Sequence, residues 1–269
     1  MNMKKNIFYI ILLLCLSSNM IPVIAQNNKW KLVFSDEFNQ KDGSRPDAAK
    51  WSSCVRTPST WARWISDNRN TSFIKKGRLI CRTIPNKSEV GDTAKMLSGA
   101  IETKGKFDFQ YGKIEVRMRT NNLVGNFPAV WLVPTYEDGD KRYGEIDVVE
   151  MFGNEGKSAH TVHTHRSYTL KKEGVKRDVK IPLDVTKWHV YGLEWDKDKL
   201  IWTIDGDEVF RYNRVDTKVM REEGQWTFDR KFYIRMNQSV GNGGHRLLIP
   251  NFKKTYETQF DWIRVFQRK

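Results

Sequence analysis

The sequence predicts an all-β protein, built as a sandwich of two antiparallel sheets. Three observations lead to this class: apolar and polar residues alternate with a period of two, a helical period of 3.6 is nearly absent, and glycines or polar clusters separate the alternating runs. Alternation gives a strand one buried face and one solvated face, as in antiparallel sheets. The length of 269 residues fits one large β domain.

The predicted strands follow one another along the chain after residue 25. Ile114, Val116 and Met118 show the pattern clearly, because charged residues separate them. In order, the strands cover 31–34, 78–83, 114–118, 128–133, 188–195, 200–204, 208–212, 232–240 and 260–266. Asp205-Gly206 lies between two of them and tolerates the positive φ of a tight hairpin turn. Since no linker or internal repeat interrupts the pattern, residues 26–269 are predicted to form a single domain.

The first 25 residues are predicted to be a secretory signal peptide. Lys4-Lys5 precede an apolar run, Ile7–Leu16, and Val23–Ala25 offers small residues at −3 and −1 of a cleavage point. This run is too short to cross a hydrocarbon layer of ~30 Å, which takes about 20 helical residues. We therefore expect no membrane span and an exported protein that is periplasmic, secreted or at the cell surface. Lipid attachment at Cys15 is less favoured, because a leucine precedes it.

Composition and charge narrow the range of partners. The aromatic content of 12% is too high for a disordered chain. The net charge is +14, and +12 without the two lysines of the first 25 residues. Because Lys and Arg are spread along the chain, nucleic acid is not an expected partner, whereas a sulfated polysaccharide stays open. Cys54 and Cys81 remain in the mature chain, and the sequence leaves open whether they pair or stay as buried thiols.

The segment Gly144–Met151 carries three acids in a strand pattern. In a regular strand, Glu145 and Asp147 share one face, while Glu150 falls on the opposite, apolar face. An unpaired Glu in a core is strongly disfavoured. A bulge at Val148-Val149 adds one residue and returns Glu150 to the face of the other two acids. The sequence therefore predicts a bulged strand with three acids in one row.

The spacing of the outer two acids indicates what such a row can do. Glu145 and Glu150 are roughly 13 Å apart between Cα atoms, at about 3.3 Å per residue. Each carboxylate reaches ~3.7 Å from its Cα, so side chains that lean together leave roughly 5 to 6 Å between them. Retaining glycosidases have this separation, whereas inverting enzymes need about 6.5 to 9.5 Å. Acids on a strand more often face solvent, but the aromatic neighbours here favour a sugar-binding site.

The motif Glu145-Ile-Asp147-Val-Val-Glu150 resembles the bulged catalytic signature of the glycoside hydrolases of family 16. The resemblance also covers Leu32–Phe38, Ser98–Lys104, Tyr111–Arg117, His189–Trp195, Ile204–Gly206 and Phe260–Phe266. Two places depart from the family pattern: Phe127 stands where Trp is frequent, and Asn237–Gly243 varies an Asn-x-x-Val-Gly-Gly motif. The resemblance implies a β-jelly-roll fold with a concave substrate cleft and retaining, endo-acting hydrolysis.

The resemblance also implies residue roles. Glu145 is the expected nucleophile, Glu150 the general acid and base, and Asp147 the residue that orients Glu145. Trp131 is expected to stack on a sugar near the cleavage point, and Trp64 with Asn70 to lie on the glycone side of the cleft. Substrate contacts are further expected for His163 and for Asn237, although a structural role for the Asn237 amide is equally compatible with the sequence.

No metal is expected in catalysis. His160, His163 and His165 offer imidazoles, but no convincing third ligand stands near the two that share a strand face. The resemblance allows a structural calcium ion on the convex side, to which Asp261 could contribute, although the sequence contains no recognisable calcium loop. We expect a monomer that acts on a polysaccharide.

The resulting hypothesis is an exported endo-β-glucanase that hydrolyses β-1,3-glucan or mixed-linkage β-1,3-1,4-glucan by double displacement. The first alternative is an endo-β-galactanase of the same family, acting on agar, porphyran, carrageenan or mucin-type poly-N-acetyllactosamine glycans. The second is a non-catalytic jelly-roll lectin. A lectin predicts that a catalytic acid is missing, and none is missing in this sequence.

Overall fold

The computed structural model describes residues 29–87, 91–136, 139–241 and 248–269. The predicted signal peptide and Cys15 lie outside these ranges. The described strands are β1 (Trp30–Asp36), β2 (Ser52–Ser53), β3 (Ser72–Ile74), β4 (Leu79–Pro85), β5 (Met96–Glu102), β6 (Asp108–Phe109), β7 (Gly112–Thr120), β8 (Asn126–Pro134), β9 (Gly144–Glu150), β10 (Lys157–Thr164), β11 (Asp178–Pro182), β12 (His189–Trp195), β13 (Lys199–Ile204), β14 (Asp207–Asn213), β15 (Phe232–Val240) and β16 (Tyr256–Arg268). The described helices are a π-helix, His165–Thr169, and α1, Lys218–Glu222.

The strands form two halves that are joined along one edge. One half has the order β11-β10-β9-β8-β15-β5, with β2 also paired to β5 and β6 to β15. The other half has the order β4-β16-β7-β12-β13-β14, with β1 also paired to β16 and β3 to β4. Antiparallel pairing of β4 with β5 joins them, and the pairings of the other described strands are antiparallel as well. The predicted all-β sandwich is confirmed, with the addition that hydrogen bonds run from one sheet into the other.

The core lies between the two halves. On β7, Ile114, Val116 and Met118 are buried and the charged residues between them are half-buried, as the alternation predicts. Apolar side chains of β9 and aromatic side chains of the facing half, including Trp202 and Tyr191, belong to the same buried cluster. Because one face of β9 packs against this cluster, its polar side chains lie on the opposite face.

The predicted hairpin joins β13 to β14. Asp205 and Gly206 have φ values of 52° and 96°, the left-handed backbone that a two-residue hairpin turn requires. Glycine adopts a positive φ without steric strain, and aspartate is one of the few other residues that tolerate the left-handed conformation.

Both cysteines of the described residues are unpaired and buried, which answers the question that the sequence left open. Burial raises the pKa of the Cys81 thiol to about 12, and it also raises the pKa of Cys54. Both are therefore uncharged core thiols. Within the described ranges, neither helix approaches the length and apolarity needed to span a bilayer.

Candidate active site

The bulge predicted in β9 is present, and Val148 is its surplus residue. Relative to β8, Val130 pairs with Val149 but the next residue, Trp131, pairs with Asp147. Relative to β10, the register advances by two residues while β9 advances by three, from Asp147 to Glu150. Val148 and Val149 are both fully buried in the core. The apolar core therefore takes two consecutive valines, and Glu150 is returned to the outer face of the sheet.

Glu145, Asp147 and Glu150 line one pocket on that outer face, as predicted. The remaining lining residues are Trp61, Phe127, Ala129, Trp131 and Asn237. We call this set of eight residues the acid pocket. Glycine precedes the acid row for a steric reason, since a Cβ on Gly144 would meet the Thr227 hydroxyl at 2.9 Å.

Asp147 is the most buried of the three acids, with 2% of its surface exposed. Burial and the charge of Glu145 raise the pKa of Asp147 well above its usual range, while a hydrogen bond with Glu150 and the charge of Arg177 act in the opposite direction. Asp147 therefore holds a proton more readily than an ordinary aspartate. The hydrogen bond links Asp147 to Glu150, and the orientation of Glu145 by Asp147 stays a prediction.

Glu145 lies between two potential donors. The Tyr143 hydroxyl donates to Glu145 Oε2 at 2.5 Å. On the other side, His163 Nε2 lies 3.5 Å from Glu145 Oε1 and 3.4 Å from Asp147 Oδ2. These contacts fix the direction of the Glu145 carboxyl group.

Arg177 sets the tautomer of His163. Its guanidinium Nη1 lies 3.5 Å from His163 Nδ1, and because a guanidinium only donates, Nδ1 is the acceptor. The imidazole proton is then on Nε2, facing the carboxylates of Glu145 and Asp147. His163 thus lies at the acids, and its expected contact with the substrate stays a prediction. Arg177 was not identified from the sequence, because no local pattern distinguishes it from the other basic residues.

Trp131 and Trp61 form the aromatic wall of the acid pocket. Trp131 Nε1 donates to Asn237 Oδ1 at 3.0 Å, and the two indole rings meet edge to face at 4.9 Å. The Arg235 guanidinium lies within 5.0 Å of both ring centres and pairs with Glu102 at 2.7 Å. Asn237 is buried and also donates to the Phe127 carbonyl. It lines the pocket as predicted and at the same time orients Trp131.

Trp64 and Asn70 are not among the residues that line the acid pocket. Trp64 is 9% exposed and packs with Met96, Val240 and Tyr256 beside the main core. Asn70 is exposed, and its backbone N–H donates to Asn68 Oδ1 at 2.9 Å. Trp61, three residues before Trp64, takes the position at the acids. The substrate contacts of Trp64 and Asn70 stay predictions.

One group of described side chains could hold a metal ion. Ligand atoms of Glu145, Asp147 and His163 all lie within 4.8 Å of one another. Arg177 behind the imidazole opposes further positive charge at this place. His160 does not join this group, because its ring is buried against the Val148 carbonyl. The absence of a catalytic metal stays a prediction.

Asp261 does not fit a calcium ligand. Its Oδ1 lies 3.5 Å from Arg78 Nε, and its Oδ2 accepts from Arg117. Both oxygens therefore face guanidinium groups, which would repel a divalent cation. The structural calcium ion expected from the resemblance otherwise stays a prediction.

A larger cavity, of about 590 Å³, lies elsewhere, beside Tyr111 and Trp195. Its acids, Asp196 and Asp198, pair with the exposed or half-buried amines of Lys199 and Lys197. The acid pocket is the better candidate for catalysis, because three acids and two tryptophan rings converge on it.

The chain is similar to known glycosyl hydrolases over most of its described length. Residues 61–263 match the family model described as glycosyl hydrolases family 16. Over 241 residues, the chain is 29% identical to a keratan-sulfate endo-1,4-beta-galactosidase of Sphingobacterium multivorum, with coverage of 88% of this chain and 55% of the relative. Over 250 residues, it is 28% identical to a beta-glucanase of Rhodothermus marinus, with coverage of 88% and 85%. The chain thus spans about half the length of the first relative and most of the second.

A solved structure extends the agreement to the fold. The laminarinase from Rhodothermus marinus superposes with a TM-score of 0.75 at 27% identity, covering 89% of this chain and 98% of that one. The family match covers both the acid row of β9 and the strands that flank it. The chain belongs to family 16 of the glycosyl hydrolases.

Proposed function

We propose that this protein is an exported, endo-acting β-glucanase that hydrolyses β-1,3-glucan or mixed-linkage β-1,3-1,4-glucan with retention of configuration. The observation that carries the proposal is the register of β9, in which one surplus residue brings Glu145, Asp147 and Glu150 to the same pocket. Most glycoside hydrolases act through two carboxyl groups that flank the bond to be cleaved.

The surroundings of the two glutamates support different roles for them. Glu145 receives a hydrogen bond from Tyr143 and faces the Nε2–H of His163, so it is held as a carboxylate ready to attack the anomeric carbon. Glu150 shares a hydrogen bond with Asp147, a carboxyl whose raised pKa favours a proton in that pair. Glu150 is therefore the general acid.

The reaction then proceeds in two displacements. Glu145 forms an ester with the anomeric carbon while the glycosidic C–O bond breaks and Glu150 protonates the departing sugar oxygen. Once Glu145 is an ester its charge is gone, and Glu150 removes a proton from water, which attacks the same carbon and releases Glu145. Asp147 keeps its hydrogen bond to Glu150 in both displacements, whether Glu150 is protonated or ionised.

The choice of glucan rests on similarity. The beta-glucanase of Rhodothermus marinus is covered over 85% of its length, and a glucan endo-1,3-beta-glucosidase of Cryptopygus antarcticus is 26% identical with 81% of its length covered. The aromatic wall of Trp61 and Trp131 suits the flat, apolar faces of glucose rings.

An endo-β-galactosidase is the second candidate. The keratan-sulfate enzyme of Sphingobacterium multivorum is 29% identical to this chain, and the net charge of +14 suits a sulfated polysaccharide. Phe127 in the acid pocket, where the resemblance leads one to expect Trp, also alters the surface that meets the sugar.

Incubation with laminarin, barley mixed-linkage glucan, agarose and keratan sulfate tests the proposal. We expect new reducing ends from laminarin or barley glucan, with a rapid fall in polymer length, and proton NMR of the first products should show the β-anomer. Keratan sulfate or agarose as the only polymer cleaved would support the galactosidase instead. Retardation in the polymer gels without any cleavage would support a lectin and refute the proposal.

Glu145→Gln gives the matching mutational prediction. The amide keeps the shape of the side chain but cannot form the ester, so kcat should fall by at least about 10³-fold while folding and polymer binding are kept. Turnover is measured by reducing-end release and binding by retardation in a gel containing the polymer. A Glu145→Gln variant with near wild-type kcat would remove Glu145 from the role of nucleophile.

A further inference from the structure

Two consecutive backbone carbonyls at the bulge are held by side chains from outside β9. Trp202 on β13, in the facing half, donates its indole N–H to the Asp147 carbonyl at 2.8 Å. His160 on β10 has its Nδ1 2.7 Å from the Val148 carbonyl. Both side chains are fully buried. In a regular ladder, each carbonyl points within the sheet to a neighbouring strand. The Asp147 carbonyl accepts from Trp202 of the facing sheet, so it has turned toward the core.

The register explains why His160 is the partner of Val148. Its neighbours Ala159 and Thr161 pair with Glu150 and Asp147, so His160 lies opposite the widened part of β9. Because a carbonyl only accepts, His160 carries its proton on Nδ1, and Nε2 accepts from the Ser158 hydroxyl at 3.0 Å. The imidazole thus fills the place where a regular strand would have supplied a backbone partner.

We propose that Trp202 and His160 are positioning residues that lock the bulge in one conformation and thereby fix the distance between the carboxyl groups of Glu145 and Glu150. The inference rests on the proposed function, since it concerns how that pair of acids acts together. Neither side chain belongs to the lining of the acid pocket, so each acts through the backbone of β9 alone. Without either donor, a buried carbonyl is left unsatisfied and the bulge can relax by turning it back toward the sheet.

The identity of the leaving group separates positioning from general damage to the fold. A sugar leaving group needs a proton from Glu150 while Glu145 attacks, so its departure depends on the distance between the two acids. A 2,4-dinitrophenolate leaves without that proton. Misplacement of Glu150 therefore slows polymer cleavage more than cleavage of a dinitrophenyl β-glycoside of the released oligosaccharide, whereas loss of folded protein lowers both rates by the same factor.

Two pairs of variants carry the test. Trp202→Phe removes the indole N–H and keeps an aromatic ring, and its control is Trp195→Phe. Trp195 is also buried in the core, and among the described residues its Nε1 has no hydrogen-bond partner. His160→Leu removes the donor, while His160→Asn keeps an N–H near the place of Nδ1. Unfolding midpoints in urea are recorded for all four variants.

We expect Trp202→Phe and His160→Leu to lower kcat/KM on the polymer by about 10- to 100-fold, with a clearly smaller loss of kcat/KM on the dinitrophenyl substrate. The ratio kcat/KM is compared because it reports the first displacement, whereas Glu150 acts as base in the second displacement of both substrates. Trp195→Phe and His160→Asn should stay close to the wild type on both substrates. Equal losses on the two substrates, or a Trp202→Phe variant as active as Trp195→Phe, would overturn the positioning role. A wild-type protein that cleaves neither substrate would instead refute the proposed function. If Trp202→Phe does not fold, the His160 pair decides by the same comparison.

Discussion

Tyr143 lies two residues before Glu145 and is the nearest hydroxyl donor to the acid row. Its ring stacks on Tyr168 with centroids 4.1 Å apart, and Lys171 Nζ lies 4.8 Å from the centre of the Tyr168 ring. The π-helix that carries Tyr168 therefore supports Tyr143 from behind. Burial and the charge of Glu145 raise the pKa of Tyr143, so it stays a neutral donor wherever the protein is folded.

Tyr143→Phe should lower kcat/KM by about 10- to 100-fold, because a hydrogen bond to a charged group contributes about 1.5 to 3 kcal/mol. The ring and its stack are kept, so the unfolding midpoint should change little. Tyr168→Phe is the matched control, since it keeps the same stack and leaves the Tyr143 hydroxyl on Glu145. Wild-type kcat/KM in Tyr143→Phe would show that Glu145 needs no donor at this oxygen.

At the scale of elements, the bulge decides which side chains of β9 reach the acid pocket and which reach the core. In a regular ladder, the consecutive residues Val148 and Val149 would point to opposite faces of the sheet, and only one of them could enter the core. In the segment before β3, two tryptophans three residues apart likewise point to different places, one to the acid pocket and one to a buried cluster. Trp61 lines the acid pocket, whereas Trp64 is turned into the small cluster around Met96 and Val240.

Alanine substitutions at the two tryptophans should therefore have different effects. Trp61→Ala should raise KM for the polymer by about 10-fold with little loss of stability, because it removes a half-buried ring from the wall of the acid pocket, where we propose that the sugar binds. Trp64→Ala should lower the free energy of unfolding by about 3 to 5 kcal/mol, as expected for a buried Trp. Initial-rate kinetics and urea unfolding measure the two effects. A Trp64→Ala variant of normal stability and weakened polymer binding would instead support the sequence-based prediction that Trp64 contacts the substrate.

At the scale of the whole molecule, two buried groups give the stability opposite dependences on pH. Burial lowers the pKa of His160 from 6.5 to about 4. As the pH falls through this interval, the unfolded chain binds a proton that the folded protein excludes, so His160 destabilises the fold by up to about 3 kcal/mol. Asp147 acts in the opposite sense, because its raised pKa lets the folded protein bind a proton before the unfolded chain does.

A comparison of wild type with His160→Asn isolates the histidine contribution, since Asp147 is common to both proteins. The free energy of unfolding of the wild type, relative to that of the variant, should fall between pH 6.5 and 4 by up to about 3 kcal/mol. Urea unfolding at several pH values in this interval measures the difference. Parallel pH profiles for the two proteins would show that His160 is not held neutral in the folded state.

The strands and the bulge could be predicted because they depend on local patterns. Alternation along Ile114–Met118 and the wrong parity of Glu150 are properties of neighbouring residues, and a strand has only two faces to which they can be assigned. Trp131 and His163, which the family resemblance singled out as substrate contacts, lie on the two strands that pair with β9, and their contacts with a sugar stay predictions.

The neighbours of the acids could not be predicted in this way. Arg177 and Trp61 reach the site from loops, where no period limits the direction of a side chain, and Trp202 reaches the bulge from a strand in the facing sheet. Their positions depend on how the two halves of the sandwich pack together. The sequence by itself therefore determined the all-β class, the acid row and its bulge, because strand parity is local. Only the tertiary structure decided which residues hold, charge and orient that row, because those contacts join segments far apart in the chain.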